Sequence, residues 1–238
     1  LHLLSRRQRQ MCIRDRSYMM FCDQDDVWRP DKVEKTMRAL LEAQEDAGAD
    51  TPVLVFTDLT PVDENLRPIA SSLMRMQRQY AVTIDYRALL FQNIVTGCAT
   101  GINRALAGLA SRCTDTSQVI MHDWWLGVVA ARFGKIVYLD ESTMLYRQHG
   151  GNSVGAKDVG GIRYLLHNLH HAAAIRMGLL AKKRQATIFS VLYQDGLTQP
   201  DRCFLQNFSR KRSGCRFYWR WRILISDKRH LFGMMVLG

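Results

Sequence analysis

The chain has 238 residues, 47% of them hydrophobic and 23% charged, a balance that excludes wholesale disorder. No run approaches the ~18 uninterrupted apolar residues that a membrane-spanning helix needs. The net charge of +11 lies entirely at the ends: residues 1–16 carry five arginines against one aspartate and residues 201–238 nine Lys/Arg against two Asp, while 17–200 balance at nineteen of each sign, so the middle is no nucleic-acid-binding core and no nucleic acid is expected as partner.

The leader, LHLLSRRQRQMCIRDR (1–16), has no apolar period. Its arginines follow the short Leu1–Leu4 run, the reverse of a secretory signal. It reads as a basic arm or as non-native sequence, since MCIRDRS resembles translated adapter read-through, and it is assigned no function. The six cysteines form no CxxC pair and read as reduced, partly buried thiols of a cytosolic protein.

From Ser17 the pattern turns α/β. Tyr18–Cys22 is a short apolar run, expected as a buried strand of a parallel sheet. It stops in Asp23-Gln24-Asp25-Asp26. Pro30 suits a first helical turn, and Val33, Met37, Leu40 and Leu41 follow on one helical face up to a Gly48 stop. Val53–Thr57 is a second buried strand, ending at Asp58. Strand, acid, helix, strand, acid is α/β grammar. Further along come a turn at 62–65, helices at 86–91 and 105–110, a small-residue stretch at 93–103, a bulky helix at 122–133 and strands at 135–139 and 144–148. A break at Gly150-Gly151-Asn152 precedes a helical pattern from about 161. The expected division is a leader 1–16, a catalytic domain 17–160 and a basic helical region 161–238.

Carboxylates crowded at a strand end repel unless a cation neutralises them, and hard divalent ions prefer oxygen ligands. In open α/β sheets that edge also receives ligands. Asp23-x-Asp25 therefore reads as a site for Mg²⁺ or Mn²⁺ carrying a diphosphate, or else Asp25 and Asp26 merely cap the following helix. An apolar strand followed by Asp-x-Asp-x-Val also resembles the first motif of haloacid dehalogenase-type phosphatases, with Asp23 as nucleophile. Asp140-Glu141 could imitate the late acidic pair of that family. Trp28-Arg29-Pro30 does not suit it, and no lysine stands in the required place.

Five segments, FCDQDDVWRPDKVEK (21–35), FTDLTPVDENL (56–66), NIVTGCATGINRAL (93–106), HDWWLGVVAARFGKIVYLDE (122–141) and YRQHGGNSVG (146–155), together resemble family 2 glycosyltransferases, in particular their rhamnosyltransferase-like branch. The resemblance covers residues 17 to 155. It implies a partial glycosyltransferase A fold with a helical C-terminal appendage, and sugar transfer, usually inverting, from a nucleotide diphosphate donor such as dTDP-rhamnose to an envelope polysaccharide or lipid-linked glycan. It places Asp23, Asp25 and Asp26 at the divalent cation and diphosphate, the metal acting as a Lewis acid. Asp123 becomes the catalytic base, or a plain helix cap, with His122 where the family has an acid. Arg147 and His149 form a late basic pair near the diphosphate, His149 being either a metal ligand or structural. Gly97 and Thr100 are expected near the donor sugar or acceptor, though Gly97 could simply serve a turn. Trp124 and Trp125 either stack on an acceptor sugar or pack in the core.

The resemblance also implies a preceding half, with the contacts to nucleotide base and ribose, that residues 1–16 do not resemble. The chain is thus expected to be a truncated enzyme with an uncovered apolar sheet edge and face, binding donor poorly by itself. In the tail, arginines interleave with aromatics from Phe217 to Ile225. This suits an interfacial helix on an anionic membrane surface, at the cytoplasmic face. Packing and single-stranded nucleic acid are the other readings, and a non-enzymatic basic interaction protein is the alternative for the whole chain.

Overall fold

The computed structural model describes residues 16–79, 84–148 and 172–210. Five strands form one mixed sheet: β1 (Tyr18–Met20), β2 (Val27–Trp28), β3 (Val53–Val62), β4 (Thr100–Asn103) and β5 (Lys135–Arg147), in the order β1-β4-β3-β5-β2. β3 and β5 are parallel and the other pairs antiparallel. Seven helices are described: α1 (Lys32–Ala47), α2 (Leu73–Met76), α3 (Tyr86–Phe91), α4 (Arg104–Ala110), α5 (His122–Phe133), α6 (Ala172–Leu192) and α7 (Gln199–Ser209). Among the described residues no helix is long and apolar enough to cross a membrane.

The centre is β3, buried at all ten positions. Alternation along a strand sends successive side chains to opposite faces. Val53 and Val55 accordingly meet Ala39, Leu40 and Ala43 of α1, while Leu54 and Phe56 join the larger core under α3, α5, α6 and α7. Both faces of β3 are therefore covered, against the expectation of an open apolar face. Among the described residues no strand pairs with the outer edge of β1.

The side of α1 that packs on the sheet is Lys32, Thr36, Ala39, Leu40 and Ala43. Val33 and Leu41, expected inside, are about half exposed, at 49% and 50%. The helix lies too close to the sheet for a row of large side chains: a Cβ on Gly101 would stand 2.8 Å from Thr36 Cγ2 and 3.1 Å from Leu40 Cδ1. Small residues permit that approach. The Gly48 stop is as expected, with φ at +99° where an L side chain is strained.

Three strand expectations are revised. Tyr18–Met20 is a half-buried edge strand antiparallel to β4, not a member of a parallel sheet. β3 runs past Asp58, whose carboxylate is buried and accepts from the Leu59 and Met74 N–H groups. The two late strands are one, β5, whose pairing with β3 jumps from Thr57–Leu139 to Asp58–Ser142. The bulge expels Asp140 and Glu141 to solvent; the polar gap in the sequence is real, but it does not break the strand.

Helix α5 is buried from Asp123 to Ala130 and serves as the axis of the second layer. Aromatic rings join the helices of this layer: Trp125 of α5 meets Phe189 of α6 at 5.9 Å and Tyr193, just past its end, at 6.0 Å, while Phe91 of α3 meets Phe208 of α7 at 4.9 Å. The expected packing of the C-terminal helical region on the domain is thus present, although Leu180 stays exposed while Leu179 is buried. Leu165, Leu166, Leu169 and the basic aromatic tail lie outside the described residues. Four cysteines, Cys22, Cys98, Cys113 and Cys203, are free thiols.

One carboxylate ties α7 down. Asp201, 4% exposed, accepts from Arg132 Nε (2.9 Å), Arg87 (2.9 Å), Tyr86 Oη (2.7 Å) and the Thr198 hydroxyl (2.6 Å). Burial pushes its pKa up, but the bonds from Thr198 and Tyr86 and the Arg132 charge outweigh it and hold the carboxyl well below the usual range. A folded pKa below the unfolded one stabilises fully above the ordinary carboxylate value and loses that contribution as pH falls toward the folded pKa. Asp201→Asn is expected to cost about 3 kcal/mol at neutral pH. In urea titrations its deficit against wild type should shrink as pH drops below ~4.

A Cβ on Gly134 would stand 1.8 Å from the Pro52 carbonyl oxygen. That oxygen accepts the Lys135 N–H at 2.8 Å, the first rung beside the β3–β5 ladder. Gly134→Ala should cost about 3 kcal/mol, read as a lowered urea midpoint.

Candidate functional site

The loop after β1 and the turn before β4 meet over the edge of the sheet. Asp23 Oδ, Asp26 Oδ and Cys98 Sγ come within 4.8 Å of one another. Three separate pieces of chain produce this. β1 delivers the acids, the 3₁₀ turn Gly97–Ala99 delivers the thiol, and the end of β5 fixes the loop. Arg147 donates its N–H to Asp26 Oδ1 (3.1 Å), its Nε–H to the Asp25 carbonyl (3.0 Å) and a terminal N–H to the Glu64 carbonyl. Much of the guanidinium thus holds backbone.

Asp26 Oδ2 is buried with no hydrogen-bond partner, the Cys98 thiol lying beside the carboxylate. Burial raises the Asp26 pKa, aided by Asp23 and Asp25 and opposed by the Arg147 N–H and Cys98. Cys98, 4% exposed, is pushed up by burial and by the Asp26 carboxylate. Behind the cluster stands a buried cation, Lys32, with Nζ 3.3 Å from Thr143 Oγ1 and 5.1 Å from the Trp28 ring. Burial lowers its pKa, while Cys98, Cys22 and Asp26 oppose the shift. An orphaned carboxylate oxygen among hard oxygen donors fits a divalent cation; Mn²⁺ tolerates the neighbouring sulfur better than Mg²⁺.

The acids open onto a cavity of about 1290 Å³. Asp23 and Asp25 line one part of it, and Gly97, His122 and Asp123 another. Asp123 is buried in the first turn of α5, whose cap is Met121; the simple cap reading does not describe it. Its Oδ2 accepts the Gly97 N–H at 3.0 Å, and its Oδ1 the Trp124 N–H at 2.6 Å. Burial raises the Asp123 pKa against the opposing pull of the Trp124 N–H, His122 and the Gly97 N–H. His122 is exposed, its ring 5.2 Å from that of Phe21.

Gly97 has a steric role. A Cβ there would stand 3.0 Å from His122 Nε2 and 3.4 Å from Asp123 Oδ2. Thr100 is buried, its hydroxyl donating to the Thr96 carbonyl, and it is not part of the cavity wall. Trp124 and Trp125 reach the wall but are 8% and 4% exposed, with ring N–H groups held by the Leu89 and Ala110 carbonyls. Both are core residues with one edge on the cavity. His149 lies outside the described residues.

Sequence reasoning did not single out Cys98, Lys32 or Lys182 as parts of the site. Cys98 sat within a quoted motif, but its partnership with Asp26 spans 72 positions and carries no periodic signal.

These features define an α/β protein with one cavity lined by the acids Asp23 and Asp25 and by a buried carboxylate, Asp123. The dTDP-rhamnosyl transferase RfbG of Shigella flexneri is 23% identical over 233 residues, spanning 93% of this chain and 71% of that protein. This distant likeness supports a relationship to glycosyltransferases at family level. No family model and no solved structure matches the chain.

Gly97 and Gly108 make a paired test. Gly97→Ala should displace the His122 ring, shifting its NMR resonances, and lower stability by about 1–2 kcal/mol. Gly108 lies within α4, and its Cβ would meet nothing within 4 Å. Gly108→Ala should stabilise by about 0.5–1 kcal/mol and leave His122 unchanged.

Proposed function

We propose that this protein transfers a sugar, with inversion, from a nucleotide diphosphate donor to a hydroxyl of a glycan acceptor. The observation that carries the reading is the one cavity lined both by Asp23 and Asp25 and by the Gly97-bound Asp123, with Asp26 beside Asp23. The likeness to a dTDP-rhamnosyl transferase along 93% of the chain supports the class and makes dTDP-rhamnose the first donor to test.

Asp23 and Asp26 would hold Mn²⁺ or Mg²⁺, with Asp25 beside them. When bound, the cation would supply positive charge against the negative charge that develops on the departing nucleoside diphosphate. Arg147 keeps the acid loop in place through the Asp25 carbonyl. Asp123 accepts the proton of the acceptor hydroxyl. The acceptor oxygen then bonds to the anomeric carbon as the bond from that carbon to the diphosphate oxygen breaks, and the electron pair leaves with the diphosphate. A carboxyl raised by burial is a better proton acceptor than one in water, and the Gly97 N–H leaves Asp123 Oδ2 a second lone pair for the hydroxyl. The acceptor would be an envelope polysaccharide or a lipid-linked glycan at the cytoplasmic membrane surface.

Transfer from a panel of sugar nucleotides with Mn²⁺ tests this in the full-length protein. Asp123→Asn should lower kcat by about 10²–10⁴-fold with little change in donor KM. Asp26→Asn should raise the Mn²⁺ concentration needed. Phosphomonoester hydrolysis with no sugar transfer would instead support the phosphatase reading.

A further inference from the structure

Lys182 of α6 lines the same cavity. It is 8% exposed and, among the described residues, forms no hydrogen bond or ion pair, its Nζ standing 5.7 Å from the centre of the Trp124 ring. Three residues on, Gln185 is fully buried. Its Oε1 accepts the N–H of Ile120 on the cavity wall (3.0 Å), and its Nε2 has no partner. Residues three apart share a helix face, so the Lys182 ammonium and the unpartnered Gln185 amide lie on one side of α6. Burying an ammonium without an anion is costly. The face of Trp124 offsets only part of that cost, and burial pushes the amine down to about 8. A neutral or purely packing role would be served as well by methionine.

We propose that Lys182 is the anion subsite of the acceptor, holding an oxyanion, phosphate or carboxylate, that the acceptor carries near its reacting hydroxyl. The inference rests on the sugar-transfer reading for the word acceptor. Its placement follows from the cavity that Lys182 shares with Asp123, with Trp124 beneath the ammonium. The acid cluster attracts a cation to one part of the cavity, and Lys182 supplies the opposite charge to another. An oxyanion bound there would pair with the ammonium. The acceptor predicted is thus anionic, not a neutral glycan.

Calorimetric binding to the full-length protein tests this without any turnover, using glucose 6-phosphate, glucuronate, glucose and inorganic phosphate as probes. Glucose 6-phosphate, glucuronate or both should bind at least tenfold more tightly than glucose. Binding of one alone identifies the oxyanion. Lys182→Met should lose at least tenfold of that affinity while its Tm stays level or rises, because an unpaired buried charge has gone; Lys182→Arg should keep most of the binding. A structural lysine would give the reverse, a lower Tm with unchanged affinity. Should Lys182→Met fail to fold, Lys182→Gln serves for the loss of charge. No preference of the wild-type protein for the anionic sugars, binding of inorganic phosphate alone, or undiminished binding by the neutral variant would each overturn the proposal. Sugar transfer with no preference for the anionic probes overturns the subsite alone, and anionic-probe binding lost in Lys182→Met without any sugar transfer overturns the transfer reading alone.

Discussion

The ladder between β3 and β5 begins where the Pro52 carbonyl lies against Gly134, at a distance that leaves no room for a side chain. That approach lets the Lys135 N–H take the carbonyl and sets Val53 opposite Lys135. Every later pairing inherits this start. The bulge at Asp140 and Glu141 then adds residues to β5, and the strand ends with Arg147 opposite Val62. There its backbone and guanidinium grip the loop of Asp25 and Asp26. A packing constraint at one end of the sheet thus decides where the acids stand at the other.

The site itself is assembled from groups that would be unfavourable alone. Asp123 is buried with its charge supported by two backbone N–H groups. Asp26 keeps one oxygen without a partner, and Lys32 lies buried behind the cluster with weak contacts. Such groups cost stability in a domain whose net stability is small. The surrounding core offsets them: the valines and phenylalanine of β3, the aromatic rings around α5 and the fully bonded Asp201 contribute no comparable vacancy.

α6 and α7 are more than an appendage in this respect. They complete the aromatic layer beneath α5, and α6 contributes Lys182 to the cavity wall. Core packing and cavity chemistry share the same helix. The face that buries Leu179 and Phe189 also turns Lys182 inward, because positions three and seven residues apart fall near one stripe.

Much was legible in the sequence alone. Unbroken apolar runs marked β1 and β3, spacing and the Gly48 stop marked α1, and bulky residues at 122–133 marked α5, because local periodicity and backbone preference act over a few residues. The acids at 23–26 were visible for the same reason. Tertiary structure decided what depends on distant partners. Tyr18–Met20 became an antiparallel edge strand because β4, not a parallel neighbour, lies beside it. Val33 and Leu41 turned outward because Gly101 draws the small side of α1 onto the sheet. Asp26 acquired Cys98, Asp123 acquired the Gly97 N–H, and Lys182 acquired Trp124. These contacts join residues far apart in the chain, and no periodicity records them; only the packing of sheet against helix brings the groups together.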